Sequence, residues 1–88
     1  MTDQEIIDLI DATIAKEFEL EPAQLKPEAS LVNDLGLDSL DFVDLVVVLQ
    51  NAFSFKLREE KAVRDIRTLG DIHRLVIQKK RELDRPGA

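Results

Sequence analysis

Ser39 stands between Asp38 and Leu40 in the stretch LGLDSLDFVDL, residues 35–45, where a glycine-containing loop reads as passing into a helix. A serine hydroxyl at a helix tip admits two chemistries. In the plain one, Asp38 caps the helix and Ser39 merely follows it. In the other, the hydroxyl is presented for modification. A phosphate ester at that position would sit against unpaired backbone N–H groups and the positive end of the helix dipole. The Asp38 charge opposes this in part, and its carboxylate could orient the hydroxyl for an external enzyme.

Other chemistries find less support. Ser39, His73 and an aspartate contain the atoms of a hydrolase triad, but no G-x-S-x-G elbow is present. A lone histidine in an amphipathic helix reads as a surface or packing residue. Asn33, Asp34, Asp38, Asp41 and Asp44 lack the ligand order, mid-loop glycine and closing glutamate of an EF-hand. A weak divalent contact that relieves carboxylate repulsion is all they suggest. The chain has no cysteine and one histidine, which excludes disulfides, a nucleophilic thiol and thiolate or histidine-rich metal sites. No glycine-rich phosphate loop exists. The expectation is a protein that is not an enzyme and holds no metal.

The elements that would position Ser39 follow from periodicity. Ile6, Ile10 and Ile14 recur every four residues, widened by Ile7, Leu9 and Phe18, which predicts a helix over 3–18. Thr2 and Glu5 have capping-box spacing at its start. Residues 19–38 hold Pro22, Pro27 and Gly36 and no sustained period. They read as a loop with room for one turn of helix, strapped over a core by Leu20, Leu25, Leu31, Val32, Leu35 and Leu37. A second helix covers 39–53, with Asp38 as N-cap. Phe55 and Leu57 pack a connector, and 59–65 reads as a short third helix. Thr68 and Asp71 repeat the N-cap spacing before a last helix over 69–83, marked by Leu69, Ile72, Leu75, Val76 and Leu83. Lys79, Lys80 and Arg81 read as its solvated end. No strand alternation is evident. The fold class is all-α, a small bundle with one long loop in a single domain over 1–85, and 86–88 as a fraying tail.

Eighty-eight residues bury only roughly 60–65% of the surface the unfolded chain exposes. The net charge of −6 hides an asymmetry: residues 1–55 carry 12 acids and 2 bases, residues 56–88 carry 6 acids and 10 bases. An acidic front half argues against nucleic acid, whose phosphates need a basic surface. It suits partners with basic patches. The start MTDQEIIDLI lacks the basic residues and apolar core of a signal peptide, and no apolar run could span a bilayer. These features predict a cytoplasmic monomer.

Helix 39–53 carries a second signal. At roughly 100° per residue, Phe42, Leu45, Val46, Leu49 and Phe53 share the core face. Asp41, Asp44 and Asn51 oppose them, and Leu40, Val47 and Val48 fall on or beside that polar side. Apolar residues among surface carboxylates predict a docking face, unless the loop or helix 59–65 covers them.

With these residues in hand, LGLDSLDFVDLVVVLQNAF resembles the attachment-site region of acyl carrier proteins, whose signature is Asp-Ser-Leu opening the second helix. The likeness takes in ASLVNDLGL, the acidic first helix, IRTLGDI before the last helix, and nearly the whole chain. It implies a four-helix bundle with a short third helix. It implies that Ser39, flanked by Asp38 and Leu40, receives 4′-phosphopantetheine from coenzyme A through a phosphopantetheinyl transferase. The arm's thiol would carry acyl groups as thioesters between acyl-transferring, condensing and reducing enzymes of fatty-acid, lipid or polyketide-like biosynthesis. The resemblance further implies that Asp38, Leu40, Asp41, Asp44, Val47 and Val48 dock basic partner patches, and that Leu49, Phe53, Leu57 and Ile66 line an acyl-chain shelter.

Some positions depart from the family pattern. Gln50, Asn51 and Ala52 stand where fatty-acid carriers end the helix in glutamates. Lys56, Arg58, Arg64 and Arg67 make the next segment basic, and Phe42 is larger than usual. These departures favour a specialised carrier over the housekeeping one. The alternatives are an aminoacyl or peptidyl carrier with the same arm, and a helical adaptor with none.

Overall fold

The structure, a computed structural model, describes residues 2–54 and 65–84, the side chains of 83 and 84 excepted. Helix α1 spans Asp3–Phe18. The predicted capping box forms: the Glu5 amide donates to Thr2 Oγ1 at 3.1 Å, and the Thr2 amide to Glu5 Oε1 at 2.8 Å. The Thr2 backbone N–H first, and then the Thr2 side chain, hold the Glu5 carboxyl below its ordinary pKa. Four-residue spacing places Ile6, Ile10 and Ile14 in one buried stripe. Glu19 ends the helix in the left-handed conformation, its amide returning to Ala15.

The long loop contains one 3₁₀ turn at Pro22–Gln24. Beyond it the loop is tied down by backbone pairing. Ser30 and Thr68 form an isolated antiparallel bridge. The Leu31 amide donates to the Arg67 carbonyl at 3.0 Å, and Leu69 to Ala29 at 3.0 Å. Gly70 donates to the Pro27 carbonyl at 2.7 Å, and a Cβ at Gly70 would meet that same oxygen at 2.9 Å. Glycine permits this close approach of loop and helix. Ala29, Leu31, Leu35 and Leu37 consequently reach the core. Val32, expected in the strap, is instead 67% exposed. The turn from Ser30 to Asp34, closed by Ser30 and Asn33 amides on Asp34 and Ser30 side chains, carries it outward.

Helix α2 spans Ser39–Phe53 and α3 spans Leu69–Asp84. Leu45, Leu49 and Phe53 of α2 and Leu69, Ile72 and Val76 of α3 complete the core around the α1 stripe. Phe42 packs against that core half-buried, and Val46 is also half-buried. Thr68 caps α3 as its spacing predicts, accepting from the Asp71 amide at 3.3 Å. The Asp71 carboxylate in turn accepts from the Arg67 and Thr68 amides at 2.9 and 3.1 Å.

His73 is a packing residue. It is 5% exposed and hydrogen-bonds Asp11 at 2.7 Å, joining α3 to α1. Arg81 joins the same helices through Asp3 at 2.6 Å, so this part of the basic run is an inter-helix tie as well as a solvated end. Lys79 and Lys80 are half-buried, not fully solvated. The described residues are all-helical, with three helices and no strand. The short helix expected over 59–65, the Phe55–Leu57 connector and the 86–88 tail lie outside the described residues, Asp65 excepted, which is in a turn.

Candidate functional site

Gly36 has φ 70 and turns the chain between buried Leu35 and buried Leu37. Leu37 is further fixed by its amide bond to the Leu31 carbonyl at 2.9 Å. One residue later Asp38 is extended and caps α2. It forms a capping box with Asp41: the Asp41 amide donates to Asp38 Oδ1 at 2.9 Å and the Asp38 amide to Asp41 Oδ2 at 3.2 Å. The two aspartates therefore hold the helix start. Ser39 is the first helical residue, exposed, and its hydroxyl has no hydrogen-bond partner among the described residues. The Ser39 and Leu40 amides, at the first two helical positions, have no intrahelical acceptor.

Ser39 lies at the edge of a cleft of about 470 Å³. Leu31, Val32, Leu37, Phe42 and Ile66 supply its apolar wall, and Asp38, Ser39 and Arg67 its polar edge. Of the four residues expected to line an acyl shelter, Ile66 opens onto this cleft, whereas Leu49 and Phe53 are buried in the core. Leu57 lies outside the described residues. The triad on paper does not assemble, for His73 is buried on α3 with Asp11 as its partner, and Ser39 stands exposed at the tip of α2.

The outer side of α2 carries the apolar stripe expected there, with a change of membership. Leu40 is 79% exposed and Val47 47% exposed, and Asp38 and Asp44 are exposed beside them. Val48 is half-buried, on the flank rather than the face, and Asp41 is half-buried in its capping bonds. Val43, 60% exposed, belongs to the stripe and was missed. Its three-residue spacing from Leu40, with Val47 four further on, is the signal that places all three on one side.

The fold and this geometry meet in one comparison. The family model described as phosphopantetheine attachment site matches residues 8–76. The chain belongs to that family. Its domains carry covalently attached 4′-phosphopantetheine and act as carriers rather than catalysts. They work with phosphopantetheinyl transferases and biosynthetic enzymes. The site suits such a group: an exposed serine whose hydroxyl has no partner among the described residues, at a fixed helix tip, beside a cleft with an apolar wall. No helix among the described residues is long and apolar enough to cross a membrane.

Proposed function

We propose that this chain is an acyl carrier protein and that Ser39 is its attachment residue. The observation that carries the reading is the exposed Ser39 hydroxyl, without a partner among the described residues, at the tip of α2 within a family whose domains bear phosphopantetheine. When bound, the arm supplies a thiol that takes acyl groups as thioesters, a chemistry this cysteine-free chain lacks. The chain's own residues do the rest. The Asp38–Asp41 box holds the helix start so that Ser39 meets the transferase in one geometry. Leu40, Val43 and Val47 offer apolar contact, and Asp38, Asp41 and Asp44 attract basic patches on the enzymes that load and use the arm.

The full chain then forms a four-helix bundle of the acyl-carrier type, and the domain runs over 1–85. Cargo is a fatty, lipid or polyketide-like acyl group in a dedicated pathway. Gln50, Asn51 and Ala52 at the end of α2 support this over the housekeeping role, since they leave that end without carboxylates. Incubation with coenzyme A and a broad-specificity phosphopantetheinyl transferase tests the central reading. Wild type should gain the mass of one phosphopantetheine and Ser39→Ala none. No gain with several transferases would favour a helical adaptor without an arm.

A further inference from the structure

Arg67 departs from the acidic character of the site, and the backbone explains how it comes to be there. Its carbonyl accepts from Leu31 at 3.0 Å, and the Leu31 carbonyl accepts from Leu37 at 2.9 Å. Ser39 follows two residues later, so two backbone bonds fix residue 67 relative to the helix tip. Arg67 and Ser39 border the same cleft, and Arg67 is the only cation among its described lining residues. Its side chain is exposed and makes no ion pair among the described residues. The nearest acid in sequence, Asp71, is already engaged by two amides and by Arg74.

A phosphodiester on Ser39 would add negative charge beside Asp38 and Asp41, which are themselves bound in the capping box. Resting on the carrier reading, we propose that Arg67 is a positioning residue that pairs with the phosphodiester of the arm. A guanidinium fork matches two phosphate oxygens, and an arginine remains charged at every working pH. The pairing anchors the first segment of the arm at the cleft edge and offsets the repulsion from the two aspartates. It also gives the basic residue at 67 a role that a purely acidic partner-docking surface does not.

The test uses the loaded protein and needs no enzymatic readout. Apo and loaded forms of wild type, Arg67→Gln and Arg67→Lys are prepared with coenzyme A and a transferase, and loading is verified by intact mass. Nitrogen-15 spectra follow the Arg67 Nε–H, phosphorus-31 spectra follow the arm, and thermal midpoints are measured for each form. Loading should move the Arg67 Nε–H signal in wild type, and Arg67→Gln should shift the phosphorus resonance. The change in midpoint on loading should be more favourable in wild type than in Arg67→Gln by about 2–4 °C, with Arg67→Lys in between. Complete loading with an unmoved Nε–H and equal midpoint changes would overturn this inference and leave the carrier reading intact. Absence of any mass gain in wild type would overturn both. Were Arg67→Gln to fold poorly, the Nε–H signal of wild type would still decide the matter.

Discussion

Asp11 and His73 lie 62 residues apart in sequence and meet at 2.7 Å. His73 is the buried polar side chain among the described residues, and its bond ties α1 to α3 through the core. Removing the acceptor leaves a buried ring nitrogen without its partner, which typically costs about 1–3 kcal/mol. Asp11→Ala should therefore lower unfolding free energy by that amount in urea titration at neutral pH; a midpoint within error of wild type would mean water replaces the carboxylate at no cost. Asp71 carries a pH-dependent contribution. The Arg67 amide first, then the Thr68 amide and the Arg74 guanidinium, hold its carboxyl below the ordinary value of 3.8. A carboxyl with a depressed folded pKa stabilises above the unfolded value and loses that contribution as pH falls through the folded one. Asp71→Asn should thus be less stable than wild type at neutral pH, and the gap should narrow below about pH 3.8. A gap that is constant with pH would mean that the charge of Asp71 contributes nothing to the cap.

The α1, α2 and α3 helices were legible because their apolar residues keep a helical period and their caps are local: Thr2 with Glu5, Asp38 with Asp41, Thr68 with Asp71. The faces of α2 were less so. Val43, Val46, Val47 and Val48 lie so close together that period alone cannot say which of them the neighbours cover. Packing assigns Val46 and Val48 to half-buried flanks and leaves Val43 and Val47 outside. Val32 was misplaced because a hydrogen-bonded turn, not a hydrophobic pattern, sets its direction. The proximity of Arg67 to Ser39 depends on the Ser30–Thr68 bridge, a long-range pairing with no local sequence signature. For α2 as a docking element, Val43→Lys combined with Val47→Lys should reduce kcat/KM for loading by a phosphopantetheinyl transferase about tenfold. Both sites are exposed, so the thermal midpoint should change little. Unchanged loading would place the docking surface elsewhere.

Charge is distributed unevenly over the whole molecule: 12 acids and 2 bases in residues 1–55, 6 acids and 10 bases in residues 56–88. Backbone pairing between the long loop and the start of α3 brings the two halves together, and Asp3 of the acidic half pairs with Arg81 of the basic half. The acids of α2 and the loop should repel one another at low ionic strength. Raising NaCl from about 0.02 to about 0.5 M should therefore increase the melting temperature, as should millimolar magnesium. No rise in either would mean that the basic half already neutralises the field.

Attachment of the arm involves one oxygen atom, Ser39 Oγ, and can be tested at that resolution. The chain has three serines, Ser30, Ser39 and Ser54, and all three fall within residues 17–56, the stretch that trypsin releases when the Lys26–Pro27 bond resists cleavage. Fragmentation mass spectrometry of that peptide, after loading with coenzyme A and a transferase, locates the added group. One phosphopantetheine should appear on Ser39 and none on Ser30 or Ser54; modification of either of the others, or of no serine at all, would rule out Ser39 as the attachment residue.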